Sequence, residues 1–567
     1  MTGITFSSIA YTRPNLETMK TSFKKLLDTF QNAQSAIEQI QALQKLNKLR
    51  NQFETMATLV SIRHSLDTRD AFYDEENNFM DEITPHYEGL LSELYLALQN
   101  SLYRKELIEQ FGKHLFDLVE VKLKTFKPEI LEDLQTENKL GSEYTKLKAS
   151  AKILFEGEER NLSQMGPFEQ SKVRDMRISA QKAVAAFYSE NEDLFDRIYD
   201  DMVKIRTKIA VKLGFSSFTE LGYARMNRTD YDAAMAANYR DQVLRDVVPV
   251  TEKLRIRQAK RLGVDTLKYY DEPLTFLSGN ATPQGPPEWM IQHASDMYNE
   301  MSPQTGEFFQ FMQSGGYMDL IAKTGKAGGG YCTFIPETKA PFIFSNFNGT
   351  SDDVDVLTHE AGHAFQVYES RNNELPEYVW PTMEACEIHS MSMEFLAWPW
   401  MDRFFIQDTN KYQFAHLSGA LLFIPYGVSV DEFQHWVYAN PNVTPDERKA
   451  IWRQIEKKYL PHRDYDDNTF LDRGGYWFRQ GHIFGSPFYY IDYTLAQISA
   501  FEFWKKTSEN REKTWNDYLR LCQAGGSQSY LDLLKLANLC NPFLDGSIKA
   551  IMEPISIWLD EVDDSSM

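Results

Sequence analysis

The chain has 567 residues, of which 60 are Lys or Arg and 81 are Asp or Glu, so its formal net charge at pH 7 is −21. A chain of this length buries a large core and has room for two or more domains, while its acidic balance disfavours nucleic acid as a partner. The absence of an apolar leader and of any apolar run of about 18 residues predicts no membrane partner, and four scattered cysteines predict thiols in a reducing cytoplasm.

The first part of the chain is predicted to be almost entirely helical. No glycine or proline lies between Pro14 and Pro85, and apolar residues recur there at three- and four-residue steps, as on the buried face of a helix. These residues are Phe23, Leu26, Leu27, Phe30, Ala33, Ile37, Ile40, Leu43, Leu46 and Leu49. Core packing or a helical hairpin explains them better than an intermolecular coiled coil. Pro85, Gly89, Gly112 and Pro128 are predicted to separate further helices.

The chain is predicted to divide into an N-terminal helical region, residues 1–185, and a second region, residues 186–567, that carries the site described below. Strand candidates are confined to residues 326–347, which predicts a mainly α protein with a small β-sheet. A strand just before the next helix can present an open edge, where an extended peptide pairs through backbone hydrogen bonds. Residues 342–347 are the candidate for that strand, and the alternative is an edge covered by the protein itself.

The segment His359-Glu360-Ala361-Gly362-His363 has the pattern of a zinc-peptidase motif. Residues four apart share one face of a helix, so the two histidines can offer imidazole nitrogens to a single ion. Glu360 lies one position further round, where it can reach a water molecule without binding the ion itself. The pattern therefore predicts a zinc site with a general base beside it.

A helix over residues 351–370 is predicted to carry this motif. The range contains no proline, and it begins with Ser351, Asp352 and Asp353, whose side-chain oxygens can accept hydrogen bonds from unpaired amides. Its apolar residues fall at helical spacing and predict a buried side. They are Val354, Leu357, Ala361, Ala364, Phe365 and Tyr368. Because the helix is buried, its two histidines require a partner, and a metal ion is the simplest one.

A third ligand is expected from a second helix, because hydrolytic zinc sites use three protein ligands and leave one position for water. Residues 384–394 are predicted to be helical, and Glu387 is the predicted ligand. Residues on roughly the same face can orient the ligands through hydrogen bonds. They are Glu384, Ser390 and Glu394. Cys386 and His389 are alternative ligands, although ordinary packing explains them better.

Together these motifs resemble the thimet oligopeptidase and oligoendopeptidase F family of zinc metallopeptidases, and within it the Pz-peptidase type of bacterial oligopeptidase. Residues 325–332 (GKAGGGYC) and 341–350 (PFIFSNFNGT) resemble the glycine-rich loop and the strand that precede the zinc helix of that family. Residues 482–493 (HIFGSPFYYIDY) resemble its His/Tyr segment. The likeness extends from residue 192 to just beyond residue 493.

The resemblance implies a fold of two helical portions that enclose a deep substrate channel, one Zn²⁺ per chain, and short unstructured peptides as substrates. It also implies that His482, Tyr490 and Tyr493 stabilise the transition state. Tyr489 is an alternative to Tyr490, because the segment is one residue shorter than in the thimet type. The predicted substrate contacts are Phe342, Phe344, Asn346, Gly329 and Tyr489.

The sequence therefore predicts a cytoplasmic zinc oligoendopeptidase in which Glu360 is the general base for hydrolysis of internal peptide bonds. A dipeptidyl carboxypeptidase or a metallocarboxypeptidase with the same ligands is an alternative, and it requires a positive group for the substrate's C-terminal carboxylate. A zinc-containing peptide-binding protein is disfavoured, because a binding protein has no use for a general base. The oligomeric state is left open.

Overall fold

The computed structural model describes residues 4–323, 325–327, 329–347, 349–565 and 567. Gly328 and Asn348, which belong to the two segments that precede the zinc helix, lie outside the described residues. The helices of the first half are α1 (Leu16–Gln31), α2 (Ala36–Leu66), α3 (Ala71–Gln99), α4 (Arg104–Phe111), α5 (His114–Thr125), α6 (Leu131–Ala149), α7 (Leu162–Glu169), α8 (Arg174–Glu190), α9 (Glu192–Leu213), α10 (Phe218–Arg225), α11 (Ala233–Gln242) and α12 (Val248–Leu262).

The second half is also mainly helical, so the predicted fold class is confirmed. Its helices are α13 (Pro287–Met301), α14 (Pro303–Gly315), α15 (Asp352–Ser370), α16 (Met383–Leu396), α17 (Asp402–Phe405), α18 (Thr409–Ala439), α19 (Pro445–Tyr459), α20 (Thr469–Asp472), α21 (Gly481–Gly485), α22 (Tyr490–Glu509), α23 (Arg511–Ala524), α24 (Tyr530–Leu536) and α25 (Ser547–Glu561). The strands are β1 (Ile153–Phe155), β2 (Glu158–Arg160), β3 (Met318–Ile321), β4 (Tyr331–Ile335) and β5 (Ala340–Phe347). No helix within the described ranges is long and apolar enough to cross a membrane.

Polar caps separate the first helices, where the sequence has neither glycine nor proline. The Asn15 side chain accepts a hydrogen bond from the amide of Thr18 (2.8 Å) at the start of α1, and Ser35 and Asp70 cap α2 and α3 in the same way. Helices α1, α2 and α3 pack against one another. The predicted helical core is confirmed for most of the stripe, because its residues on α1 and α2 contribute to one buried cluster with α3. The predicted place of Ile37 in this stripe is wrong, since its side chain is exposed.

The predicted break near Pro85 and Gly89 is wrong, because α3 continues without interruption through both positions. A proline within a helix removes one backbone hydrogen bond, and the packing of α3 against α1 and α2 offsets that cost. Gly112 and Pro128 do mark boundaries. Gly112 follows α4 with a φ of +86°, and Pro128 begins a 3₁₀ turn.

The chain forms two compact units. The first consists of Met1–Lys124, Thr282–Thr409 and Ser499–Cys540, and the second consists of Thr125–Ala281, Asn410–Ile498 and Asn541–Met567. The division into regions 1–185 and 186–567 stays a prediction.

The first unit contains a three-stranded sheet with the order β3-β5-β4. Strand β5 runs parallel to β3 and antiparallel to β4. The prediction that residues 342–347 offer an exposed edge is wrong, because β5 is the central strand and both of its edges are paired. Strand β4 lies at one edge of the sheet instead, and it also contacts α15.

The prediction that strands are confined to residues 326–347 is also wrong. Strand β3 begins at Met318, and β1 and β2 form an antiparallel hairpin in the second unit. The turn of this hairpin contains Glu156 and Gly157, both with positive φ, which suits the twist of two paired strands. Strands of three or four residues are too short for an alternating pattern to indicate them.

Candidate active site

Helix α15 carries the His359–His363 motif, as predicted, but its start is held differently. The Ser351 side chain makes no capping hydrogen bond. Instead, Oδ2 of Asp353 accepts a hydrogen bond from the amide of Gly349 (2.6 Å). Three acidic residues in the first turn also favour this helix end electrostatically. The predicted helix is confirmed, and of the three side chains expected to accept amide hydrogen bonds at its start Asp353 accepts one, whereas Ser351 makes no capping hydrogen bond.

The structure brings the three predicted metal ligands together. Nε2 of His359 lies 3.3 Å from Oε2 of Glu387, and Nε2 of His363 lies 3.5 Å from the same oxygen. Among the residues that the structure describes, this is the one group of three His, Cys, Asp or Glu side chains whose donor atoms all lie within 4.8 Å of one another. Two imidazole nitrogens and one carboxylate oxygen are a donor set that catalytic zinc sites use. The residues therefore fit the predicted ion.

A glycine within the motif allows α15 and α16 to approach closely enough to form this group. A Cβ atom added to Gly362 would lie 2.6 Å from the carbonyl oxygen of His389 and 2.7 Å from Cα of Ser390. Both are backbone atoms, so they cannot rotate away as a flexible side chain can. Gly362 therefore sets the distance between the helix that carries the histidines and the helix that carries Glu387.

Gly362→Ala is expected to push α15 and α16 apart and to lower the free energy of unfolding by about 1–3 kcal/mol. Weaker zinc binding should accompany this loss, because the ligands lie on the two displaced helices. Thermal unfolding and zinc titration measure the two effects. Gly89→Ala is the control, because that helical glycine has no atom within 4 Å of the added Cβ. A stable Gly362→Ala protein that binds zinc as the parent does would contradict the argument.

Two of the predicted neighbouring groups contact the ligands. Nδ1 of His359 lies 2.7 Å from Oε1 of Glu394, which leaves Nε2 directed at the ligand cluster. Oγ of Ser390 donates to Oε2 of Glu387 (3.0 Å). Such contacts fix the orientation of ligand side chains. Glu384 is fully buried on the same helix.

The alternative ligands Cys386 and His389 lie outside the ligand cluster. His389 is fully buried and packs edge-on against Tyr518, and burial lowers the pKa of its imidazole to about 3. Its carbonyl oxygen accepts a hydrogen bond from the Tyr518 hydroxyl (2.8 Å). The thiol of Cys386 contacts the carbonyl oxygen of Pro381 (3.4 Å). Both residues therefore have packing roles within the first unit.

Glu360 is buried beside the ligand cluster and faces the start of strand β4. One carboxylate oxygen, Oε1, lies 3.6 Å from the position that a Cβ atom on Gly330 would take. Burial raises the pKa of Glu360 above its usual value, and the nearby His363 and His359 act in the opposite direction. A carboxylate in this environment is a stronger base than one in water. A Cβ atom on Gly330 would also lie 3.4 Å from the carbonyl oxygen of Phe344, so glycine keeps the chain close to Glu360 here.

The predicted substrate contacts on β5 have other partners. Phe342 and Phe344 are buried, and the Phe344 ring stacks on that of Tyr331 at 4.8 Å. Nδ2 of Asn346 donates to the carbonyl oxygens of Ala327 and Gly329, both at 2.8 Å. Asn346 therefore holds the glycine-rich loop in place. Within that loop, Gly329 has a φ of +91°, which side chains other than glycine rarely adopt.

In the second unit, the predicted histidine and tyrosines form one aromatic cluster. The ring centroid of His482 lies 4.9 Å from that of Tyr490, 5.6 Å from that of Tyr489 and 5.8 Å from that of Tyr493. Tyr490 and Tyr493 are three residues apart at the start of α22, with ring centroids 5.7 Å apart. The structure thus brings all four residues together, and both Tyr489 and Tyr490 are neighbours of the histidine.

Sequence reasoning missed Gln480, which connects this cluster to a neighbouring helix. Nε2 of Gln480 lies 2.8 Å from Nδ1 of His482, and Oε1 accepts a hydrogen bond from the hydroxyl of Tyr426 on α18 (2.9 Å). These contacts orient the imidazole. Gln480 is two residues from His482 in sequence, but nothing in that spacing indicates a contact.

Comparisons with known proteins agree with the fold. Residues 6–126 match the model of the peptidase M3 N-terminal domain, and residues 300–553 match that of peptidase family M3. The solved structure titled "PZ PEPTIDASE A with inhibitor 2" is 58% identical to the chain, has a TM-score of 0.95, and aligns over 99% of this chain and 100% of its own.

Two curated relatives are more distant. "Oligopeptidase PepF" of Bacillus subtilis (strain 168) is 20% identical over 89% of this chain and 78% of its own length. "Oligoendopeptidase F homolog" of Borreliella burgdorferi (strain ATCC 35210 / DSM 4680 / CIP 102532 / B31) is 27% identical over 39% of this chain and 38% of its own length. The chain belongs to peptidase family M3.

Proposed function

We propose that the protein is a cytoplasmic, zinc-dependent oligoendopeptidase that hydrolyses internal bonds of short unstructured peptides. The observation that carries the proposal is the group formed by His359, His363 and Glu387, with Glu360 on the same helix. The oligopeptidase relatives support the choice of peptide substrates. The few scattered cysteines support a reducing compartment. The predicted channel, and a role for residues 1–185 in covering it, are parts of the same proposal.

One Zn²⁺ ion per chain would be held by Nε2 of His359, Nε2 of His363 and a carboxylate oxygen of Glu387. Glu394 and Ser390 would hold two of these ligands in orientation. A bound zinc ion acts as a Lewis acid that lowers the pKa of water toward about 7 and polarises a peptide carbonyl group. The protein's part is to keep this donor set in place and to leave one position open.

Glu360 accepts the proton of the attacking water and returns it to the amine that leaves. Its burial favours this role, because a desolvated carboxylate has a greater affinity for a proton. His482, Tyr490 and Tyr493 donate hydrogen bonds to the oxyanion that develops on the scissile carbonyl, with Tyr489 next to them as a substrate contact. The orientation of His482 by Gln480 supports this assignment.

The backbone edge of β4 is the proposed place for an extended substrate, in place of β5. In the described part of the chain, β4 pairs only with β5, and its preceding residue Gly330 lies beside Glu360. Backbone pairing at such an edge binds peptides with little dependence on side chains. Gly329 is proposed to contact the same substrate, because a backbone without a side chain lets a peptide come close.

Glu394→Gln is expected to weaken zinc binding by about 10- to 100-fold, because the amide cannot hold His359 as a carboxylate does. Zinc titration against a competing chelator measures the change, and circular dichroism checks the fold. Glu369→Gln, near the end of α15, is the control and should bind zinc as the parent does, because the Glu369 carboxylate contacts Gln523 (3.0 Å). Parental zinc affinity in Glu394→Gln would contradict the orienting role.

Digestion of a mixed library of peptides about 5–25 residues long, followed by mass spectrometry, tests the proposed function. Parent protein, chelator-treated protein and Glu360→Ala are compared. Internal cuts that disappear in both controls and become rare as peptide length increases are expected. Release of C-terminal dipeptides or single residues would instead identify a carboxypeptidase. Zinc binding without any cleavage would identify a peptide-binding protein.

A further inference from the structure

The segment between His482 and the tyrosines turns sharply at Phe488. This residue has a φ of +67°, which is unfavourable for a large side chain. Such a conformation persists only where the surrounding structure holds it. Tyr489 and the start of α22 follow directly, so the geometry of this turn determines where Tyr490 and Tyr493 lie.

Three contacts hold Phe488 in this conformation. Its amide donates a hydrogen bond to Oε1 of Gln434 (3.1 Å), and its carbonyl oxygen accepts one from Nη2 of Arg228 (2.5 Å). Its ring occupies the space next to Gly222, where an added Cβ atom would lie 2.4 Å from the ring. Gln434 has no exposed surface, so water does not compete for this contact.

Arg228 connects the turn to the first turn of α22. The nitrogen that donates to Phe488 also donates to Oδ1 of Asp492 (2.6 Å), and neither side chain of this ion pair has any exposed surface. The guanidinium lies over the rings of Tyr223 and Tyr231, at 4.4 and 5.1 Å from their centroids. Apolar residues of similar volume often replace a buried ion pair without loss of stability. The pair therefore calls for an explanation other than stability.

The geometry points to Arg228 as a positioning residue for the proposed peptidase reaction. Through Phe488 and Asp492 it fixes the segment that places Tyr490 and Tyr493 beside His482. The flat guanidinium suits this task, because its donors keep a fixed angle to one another. The inference rests on the proposed function, in which the histidine and the two tyrosines act on the substrate.

A double variant, Arg228→Met with Asp492→Asn, removes both charges and leaves none buried without a partner. Its kcat for a peptide that the parent cleaves is expected to fall about 10- to 100-fold, because small displacements of catalytic groups are costly. KM should stay within about threefold of the parent value, since ground-state binding is retained. Zinc content should equal that of the parent.

The matched control is Arg177→Met with Asp271→Asn, which removes another buried ion pair of the second unit (Nη2 to Oδ1, 2.8 Å). Arg174, which also contacts Asp271, is partly exposed, so the control leaves no fully buried charge behind. This control is expected to keep kcat at the parental value, whether or not its melting temperature changes. A parental kcat in the Arg228 double variant would overturn the inference. Equal losses of kcat in both double variants, in proportion to their melting temperatures, would also overturn it and leave the pair a purely structural role.

A second readout does not depend on activity. Tyrosines labelled with fluorine give ¹⁹F resonances, which Tyr490→Phe and Tyr493→Phe assign. Both resonances are expected to move in the Arg228 double variant and to stay in place in the control, and unmoved resonances would overturn the inference. If the parent cleaves no peptide, the proposed function fails, while this measurement still decides the positioning role. If the double variant does not fold, Gln434→Leu, which removes only the acceptor for Phe488, takes its place in both measurements.

Discussion

Glu360→Gln is expected to slow peptide hydrolysis strongly and to leave the fold and the zinc content unchanged. The amide has nearly the same size as the carboxylate but cannot accept a proton from water. General bases contribute about 10²–10⁴-fold to the rate of such reactions, so kcat should fall by a factor in this range. Cleavage of a peptide identified with the library, at saturating concentration, measures it.

The stability of this variant should equal or exceed that of the parent. Burial raises the pKa of Glu360, against the effect of His363 and His359, so the folded protein disfavours the ionised carboxylate. A neutral amide removes this desolvation cost. The melting temperature of the metal-free protein therefore distinguishes a chemical defect from a folding defect. A large decrease would mean that the Glu360 carboxylate supports the fold.

Glu369→Gln is the matched control for this experiment. Glu369 lies nine residues further along α15, where its carboxylate contacts Gln523 (3.0 Å), and its change should leave hydrolysis at the parental rate. Turnover close to the parental rate in Glu360→Gln would contradict the role of general base. The reaction would then require another group to accept the proton.

The sequence alone was sufficient to predict the elements of the metal site. Both histidines, Glu360 and Glu387 lie on helices, and helical periodicity defines which residues share a face within one element. To predict Glu387 as the third ligand requires one further inference, that a second helix shortly after the first packs against the first. The structure places the ligand atoms of His359, His363 and Glu387 within 4.8 Å of one another.

Features that depend on contacts between distant segments could not be predicted in this way. The order β3-β5-β4 places β5 in the centre, and no pattern within Phe342 or its neighbours distinguishes a central strand from an edge strand. The tight packing at Gly362 also depends on the backbone of α16. Likewise, Arg228 and Asp492 are 264 residues apart in the chain, and only the fold makes them partners.

Helix ends are also difficult to predict from the sequence. Residues 15–84 contain neither glycine nor proline, so the sequence gives no clear sign of where one helix stops and the next begins, whereas in the structure the side chains of Ser35 and Asp70 cap the starts of α2 and α3. Serine and aspartate are also common within exposed helix faces, so a single such residue predicts a cap only weakly. At Gly89 a helix break is predicted but absent, because tertiary packing keeps α3 helical there.

Glu387→Gln is expected to remove zinc and, with it, hydrolysis. The amide oxygen carries no charge and is a weak zinc ligand, so the loss of affinity should exceed the about 10- to 100-fold that follows the loss of an outer hydrogen-bond partner. Elemental analysis after dialysis should show nearly no zinc, against about one ion per chain in the parent. Activity should fall in proportion to the zinc content.

The metal-free fold should also respond to this change, in the opposite sense to Glu360→Gln. Burial opposes ionisation of Glu387, but His363 and His359 outweigh it and hold its pKa well below the usual value. The ionised carboxylate thus stabilises the two imidazoles that surround it in the absence of metal. Its replacement should lower the melting temperature of the metal-free protein, whereas Glu360→Gln should not.

The effect of added zinc on activity also distinguishes Glu387→Gln from Glu360→Gln. A large excess of Zn²⁺ should restore part of the activity of Glu387→Gln, because two histidine ligands remain and mass action favours the bound state. The same excess should have no effect on Glu360→Gln, which holds zinc but has no base. If Glu387→Gln kept a full complement of zinc, the third ligand would lie elsewhere, and Glu394, which already contacts His359, would be the first residue to test. Because the same chain provides a variant that loses the metal and one that loses only the base, the pair of experiments assigns the two carboxylates separately.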